Sequence, residues 1–96
     1  MALDTNNPFP KRLREARLAK NYTQERLGVA AGMDQNVASS RMNQYEKGVH
    51  SPDFKWIAKI ADVLGYPTAY FFTTENDLAE MISNYKSAKK PSEDTK

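Results

Sequence analysis

Apolar residues along this chain recur at spacings of three and four, the period of one helix face, and never alternate as a half-buried strand requires. Phe9, Leu13 and Ala16 set out the first such face. Asn7-Pro8 stands before them as an N-cap with proline at the first helical position. The spacing therefore predicts a helix over 8–20, ended by Asn21, and leaves 1–7 as an N-terminal arm. Thr23 is a good cap for a second helix over 24–31, whose inner face is Leu27, Ala30 and Ala31. Gly28 lies inside it at a cost of roughly 1 kcal/mol against alanine, which points to a close approach by another helix. Gly32 suits the position just past its end.

Downstream, Ser51-Pro52-Asp53 opens a helix over 53–64 with Phe54, Ile57, Ile60, Ala61 and Leu64 as its stripe and Trp56 beside it. Gly65 stops it, and Tyr66-Pro67-Thr68 restarts a short helix over 68–72 that brings Tyr70, Phe71 and Phe72 to the core. Thr74 to Asp77 matches a capping box. It predicts a last helix over 75–87, with Leu78, Met81, Ile82 and Tyr85 on one face. The C-terminal helix is assigned to 73–88, and the polar stretch 89–96, KKPSEDTK, reads as disordered. The fold class is all-α.

One segment breaks the pattern. GMDQNVASSRMNQYEKG, residues 32–48, is crowded with amides and hydroxyls and has few large apolar side chains. Met42 and Tyr45 are three apart and can face inward, which turns Ser39, Ser40, Arg41, Asn43 and Gln44 outward. Asp34 and Ser39 are both suitable N-caps for this third helix. Ser39 is the favoured start, with Met33–Ala38 as a long turn; a start at Asp34 would add Gln35 and Asn36 to the outward face.

Composition narrows what such a face is for. With 96 residues the chain is one small domain with tails. It has no cysteine and one histidine, so neither a thiolate zinc site nor a multi-histidine metal site can form, and no metal or cofactor is expected. His50 reads as a loop surface residue, so no nucleophile–base pair is evident and an enzyme is not expected. No apolar run reaches about 18 residues, and MALDTNNPFP has no basic or apolar leader character, so a cytoplasmic protein is expected. The net charge of +2 is unevenly spread: residues 10–50 hold eight basic residues against four acidic ones, including all five arginines. Lys11, Arg12, Lys20 and Arg26 read as a solvated face. A thinly buried helix lined with Ser, Arg, Asn and Gln suits the DNA major groove, where arginine pairs with guanine edges and Asn or Gln with adenine edges.

The order Leu13-x3-Arg17, Tyr22-Thr23-Gln24-Glu25-x-Leu27, Ala31-Gly32, then Tyr45-Glu46-Lys47-Gly48 with Pro52 after it resembles the Cro/C1-type (XRE) helix-turn-helix domain of phage repressors. The resemblance covers about 8–72. It implies a lambda-repressor-like five-helix domain, here followed by an additional C-terminal helix. It also implies a double-stranded-DNA-binding transcriptional regulator of repressor type, acting as a homodimer on an inverted-repeat operator with half-sites roughly 10 bp apart. Carried over, Gln24 would contact a phosphate and brace the reading helix. Ser39, Ser40, Arg41, Asn43 and Gln44 would fall on or near the base-contacting face, and Lys47 near phosphates. Arg17 and Glu46 would form a structural ion pair. The chain departs from the family by about four extra residues within Met33–Ala38. Because fold does not fix function, the alternative is an antitoxin-like or coactivator-like module whose partner is a protein, which the aromatic C-terminal half favours.

Overall fold

The computed structural model describes residues 7–85. The first helix, α1, runs Phe9–Ala19. Asn7 Oδ1 accepts the Phe9 amide at 3.1 Å, so the residue before the proline does the capping. Asn21 ends α1 in the left-handed region at φ +62°, and the Tyr22 amide reaches back to the Arg17 carbonyl at 3.1 Å. Then come α2 (Gln24–Ala30), α3 (Gln35–Glu46), α4 (Phe54–Leu64), a 3₁₀ helix (Thr68–Phe72) and α5 (Asn76–Ser83). No strand occurs among the described residues.

The core is where these helices turn their apolar stripes together. Leu13 of α1, Leu27 of α2, Met42 of α3, Ile60 and Leu64 of α4 and Phe71 of the 3₁₀ helix are its largest fully buried side chains. Burying each stabilises the fold by about 1.5–3 kcal/mol. Phe9 joins the two ends of the domain, its ring 6.5 Å from Tyr45 and 5.9 Å from Phe71, centroid to centroid.

Several expectations need correction. The third helix begins at Gln35 with Asp34 at the cap position, not at Ser39. Ala38 decides this: it is completely buried beside Gly28, and with Met42 and Tyr45 it forms one stripe at spacings of four and three. The extra residues thus add a turn to the helix and leave the connection short. Phe54 is 63% exposed, because it belongs to the first turn of α4, beyond the edge of the core. Phe72 is 51% exposed, while its neighbours Tyr70 and Phe71 fill the space available. The capping box at Thr74 does not form: Glu75 takes the cap position, and Asp77 Oδ1 accepts only from the next amide, that of Leu78. The last helix is shorter than predicted and buries Ala79 with Ile82 partly covered, leaving Leu78, Met81 and Tyr85 outside. Residues 86–88 of the expected C-terminal helix, the tail 89–96 and residues 1–6 of the arm lie outside the described residues.

Arg12 is the largest departure, since it is buried rather than solvated. Its Nε donates to the Thr73 carbonyl at 2.9 Å, and Nη2 donates to Asn76 Oδ1 at 3.0 Å and the Thr74 carbonyl at 3.5 Å. A guanidinium has five donors in a rigid fork, and here they gather the chain entering α5 onto α1.

Candidate nucleic-acid interface

The site is built around one close contact. A Cβ placed on Gly28 would lie 2.6 Å from Ala38 Cβ and 3.1 Å from Ala38 Cα. Only glycine lets α2 and α3 approach this far. The connection Ala31–Asp34 between them is equally constrained. Gly32 adopts φ +111°, which side-chain-bearing residues rarely reach. Met33 is buried behind it, its amide donating to the Gly28 carbonyl at 2.9 Å. At the head of α3, Gln35 Nε2 donates to Glu25 Oε2 of α2 at 3.0 Å. Gln35 is therefore engaged with α2 rather than free on the outer face.

The other end of α3 is tied down by polar groups. Arg17 of α1 donates through Nε and Nη2 to the two carboxylate oxygens of Glu46, the latter at 3.1 Å, and through Nη1 to the Tyr22 carbonyl at 2.9 Å. Both side chains of the pair are nearly excluded from water, at 10% and 5% exposure. Gln24 Nε2 donates to Glu46 Oε1 at 3.2 Å and to Asn43 Oδ1 at 3.3 Å. A carboxylate only accepts, so the Gln24 amide nitrogen faces inward and both its hydrogens are committed. Gln24 braces α3, and a phosphate contact by its nitrogen would have to replace one of these bonds. The brace leaves the Asn43 amide nitrogen without a partner among the described residues.

With its inner stripe fixed, the outer face of α3 follows from helical spacing. Asn36, Ser40 and Gln44 are four apart, and Lys47 continues the line three further on. Asn36, Ser40 and Lys47 are exposed and Gln44 is partly so. Ser39 is also exposed, but it lies between Gln35 and Glu46 on the flank that meets α2. Arg41 lies on the opposite flank, half-buried, its Cζ 5.3 Å from the centre of the Trp56 ring and its Nη2 3.5 Å from the Tyr45 hydroxyl. Arg41 thus makes contacts within the protein as well as lying at the edge of the outer face. Asn36 was visible in the sequence only as the consequence of an earlier helix start. The Ala38–Met42–Tyr45 spacing carries that start. The seat of Arg41 on Trp56 joins two helices and has no local signature.

A short helix crossing the base of a second, longer one, with the longer one presenting amides and a hydroxyl outward, defines a helix-turn-helix DNA-binding protein. The helix-turn-helix family model matches residues 13–71, and the chain belongs to that family, in its Cro/C1-type branch of DNA-binding transcriptional regulators. Among its relatives is YonR of Bacillus subtilis (strain 168), an SPbeta prophage-derived HTH-type transcriptional regulator. It is 28% identical over 79 residues, covering 79% of this chain and 69% of its own length. The crystal structure of the transcriptional regulator BswR matches with a TM-score of 0.78 at 39% identity, over 91% of this chain and 88% of that one. No helix among the described residues is long and apolar enough to cross a membrane.

Proposed function

We propose that this chain is a cytoplasmic repressor that binds an inverted-repeat operator as a homodimer, reading base edges with the outer face of α3. The observation that carries the reading is the polar line Asn36, Ser40, Gln44 and Lys47, set on a helix whose other side is locked by Ala38, Met42, Tyr45 and Glu46. Amide side chains on a rigid helix are suited to adenine edges, arginine to guanine edges. In this reading Ser40, Arg41, Asn43 and Gln44 read bases, with Asn36 added to them. Lys47 and Ser39 lie toward the phosphates, and Gln24 holds α3 at its working angle. The protein is a binder rather than a catalyst, and its expected partners are duplex DNA and a second copy of itself.

The second copy is favoured by the far end of the molecule. Phe72, Leu78, Met81 and Tyr85 are 51%, 43%, 68% and 61% exposed, the kind of apolar surface that a two-fold partner covers. Selection from a random duplex pool tests the whole reading, followed by titration of the enriched and scrambled duplexes at two salt concentrations. An enriched inverted repeat, bound with a steep salt slope and with preference surviving at the higher salt, is the expected result. Failure to enrich any sequence, together with a tight complex with another protein, would overturn it in favour of the interaction module.

A further inference from the structure

Helical spacing puts Arg41 on the flank of α3, and its side chain is seated there on a single aromatic ring. Trp56 is the only tryptophan of the chain and lies in the first turn of α4. Its backbone is fixed at the helix start, where its amide donates to Asp53 Oδ1 at 3.2 Å. Its ring is half-buried against the core and carries two cations, the Arg41 guanidinium at 5.3 Å and the Lys59 ammonium at 5.0 Å from its centre. Neither cation pairs with a carboxylate among the described residues. Arg41 Nη2 also stands 3.5 Å from the Tyr45 hydroxyl, and Tyr45 is itself buried.

We propose that Trp56 is a positioning residue for DNA recognition, holding the Arg41 guanidinium at the edge of α3 so that specific binding depends on Trp56 through Arg41. The proposal rests on the reading of α3 as the DNA surface. An arginine that lays its face on an aromatic ring keeps its in-plane N–H donors free, and those donors make bidentate contacts to guanine or phosphate. A free surface arginine must give up rotamer freedom when it binds; one already seated gives up less. Lys59 on the same ring adds positive charge beside the seat and has no counter-ion there, so an arriving DNA anion relieves the repulsion between the two cations. Trp56 thus contributes to binding without touching DNA.

The test is a double-mutant cycle on the full chain, with the duplex enriched from a random pool and a scrambled duplex as probes. Thermal unfolding is run alongside to confirm that each variant is folded. Trp56→Leu is expected to weaken binding to the enriched duplex on the order of fivefold. In an Arg41→Ala background the same change is expected to have no further effect. Trp56→Phe keeps the apolar packing and a ring face; it is expected to restore most of the affinity, and it carries the test if the leucine variant does not fold. Equal losses from Trp56→Leu with and without Arg41, or no loss while Arg41→Ala does weaken binding, would overturn the positioning role and leave the α3 reading intact. If Arg41→Ala itself binds the enriched duplex like the unaltered protein, Arg41 is not part of the DNA surface. The positioning role then fails while the line Asn36, Ser40, Gln44 and Lys47 still stands, whereas failure of any duplex to enrich overturns the α3 reading itself.

Discussion

Arg12 and Arg17 leave α1 five positions apart, both are buried, and each fastens α1 to a different part of the chain. Arg17 reaches the end of α3 and finds a carboxylate, Glu46, that is itself nearly sealed from water and shared with Gln24. Arg12 reaches the entry to α5 and finds backbone carbonyls and an amide oxygen; its one acidic partner among the described residues, Glu15 at 3.4 Å, is half-exposed. The outer surfaces differ in the same sense. The outer line of α3 presents the amides and hydroxyl of Asn36, Ser40 and Gln44, whereas the C-terminal half presents Phe72, Leu78, Met81 and Tyr85. The first half is built to hold one geometry, as the base-reading role proposed for α3 requires. The second is fastened by neutral acceptors that water can replace, and it leaves an apolar face exposed.

The comparison breaks most visibly at Glu46. Glu46→Ala leaves the Arg17 guanidinium buried without its counter-charge and strips Gln24 of an acceptor. The expected loss is about 3–5 kcal/mol in urea unfolding. Replacing both partners together, Arg17→Met with Glu46→Leu, should recover much of it, because an unpaired buried charge costs more than a lost pair. A loss below about 1 kcal/mol from Glu46→Ala would place the pair with ordinary surface bridges and remove the contrast between the two anchors.

Next in size is the contact between α2 and α3. Gly28→Ala gains roughly 1 kcal/mol of helix propensity. It also drives a Cβ to 2.6 Å from that of Ala38, which is backbone-proximal and cannot swing aside. Overpacking wins, with a net loss of about 1–3 kcal/mol by thermal or urea unfolding. Adding Ala38→Gly should return part of it, and the same double variant should restore DNA binding lost through the altered angle of α3. A stabilised Gly28→Ala protein would show that the helices yield.

Arg12→Met gives a smaller and more local effect, about 1–2 kcal/mol, since the carbonyls of Thr73 and Thr74 can turn to water once the guanidinium is gone. Amide hydrogen exchange is the sharper reading: protection should fall across Asn76–Ser83 and hold across Gln35–Glu46. Equal loss of protection in both helices would mean that the halves unfold as one unit and that the two arginines do not divide the work.

Much of this architecture was legible in the residues. Asn7-Pro8, Asn21, Thr23, Gly32, Asp53 and Gly65 place the boundaries of α1, α2 and α4 within about a residue, because each acts locally through a cap or a positive φ. The start of α3 was not legible in that way: Asp34 and Ser39 cap equally well in isolation, and the contact that chooses between them, Ala38 on Gly28, joins two helices. Arg12 belongs to the same face as Phe9, Leu13 and Ala16 by spacing, and only its charge made it look solvated. Phe54 and Phe72 show the converse, since a stripe tells which way a residue faces and not whether the core extends that far. At the interface, the polar outer line of α3 comes directly from helical spacing once its start is known. The seat of Arg41 on Trp56 depends on how α4 packs beside α3, and no local pattern encodes it.

The finest test of the contrast is alkaline. Burial pushes the Tyr66 and Tyr70 hydroxyls above the ordinary tyrosine range, and the Glu15 carboxylate raises both further. Arg12 works against this at Tyr70, over whose ring its guanidinium lies 5.7 Å from the centre. With the folded values above the unfolded one, near about 10, the folded state keeps these protons longer. Their contribution is therefore complete below about pH 10 and is lost as pH rises through the folded values. Unfolding free energy should decline over that range, and the decline should be shallower in Tyr66→Phe, with phenolate absorbance marking the late titration. Arg12→Met should move the Tyr70 titration later still, because the neighbouring positive charge that eases its ionisation is gone. An earlier titration would mean that losing Arg12 opens the 3₁₀ segment to water enough to outweigh the lost charge. Arg12 would then act chiefly as a fastener of the C-terminal half, with its charge on Tyr70 a minor part.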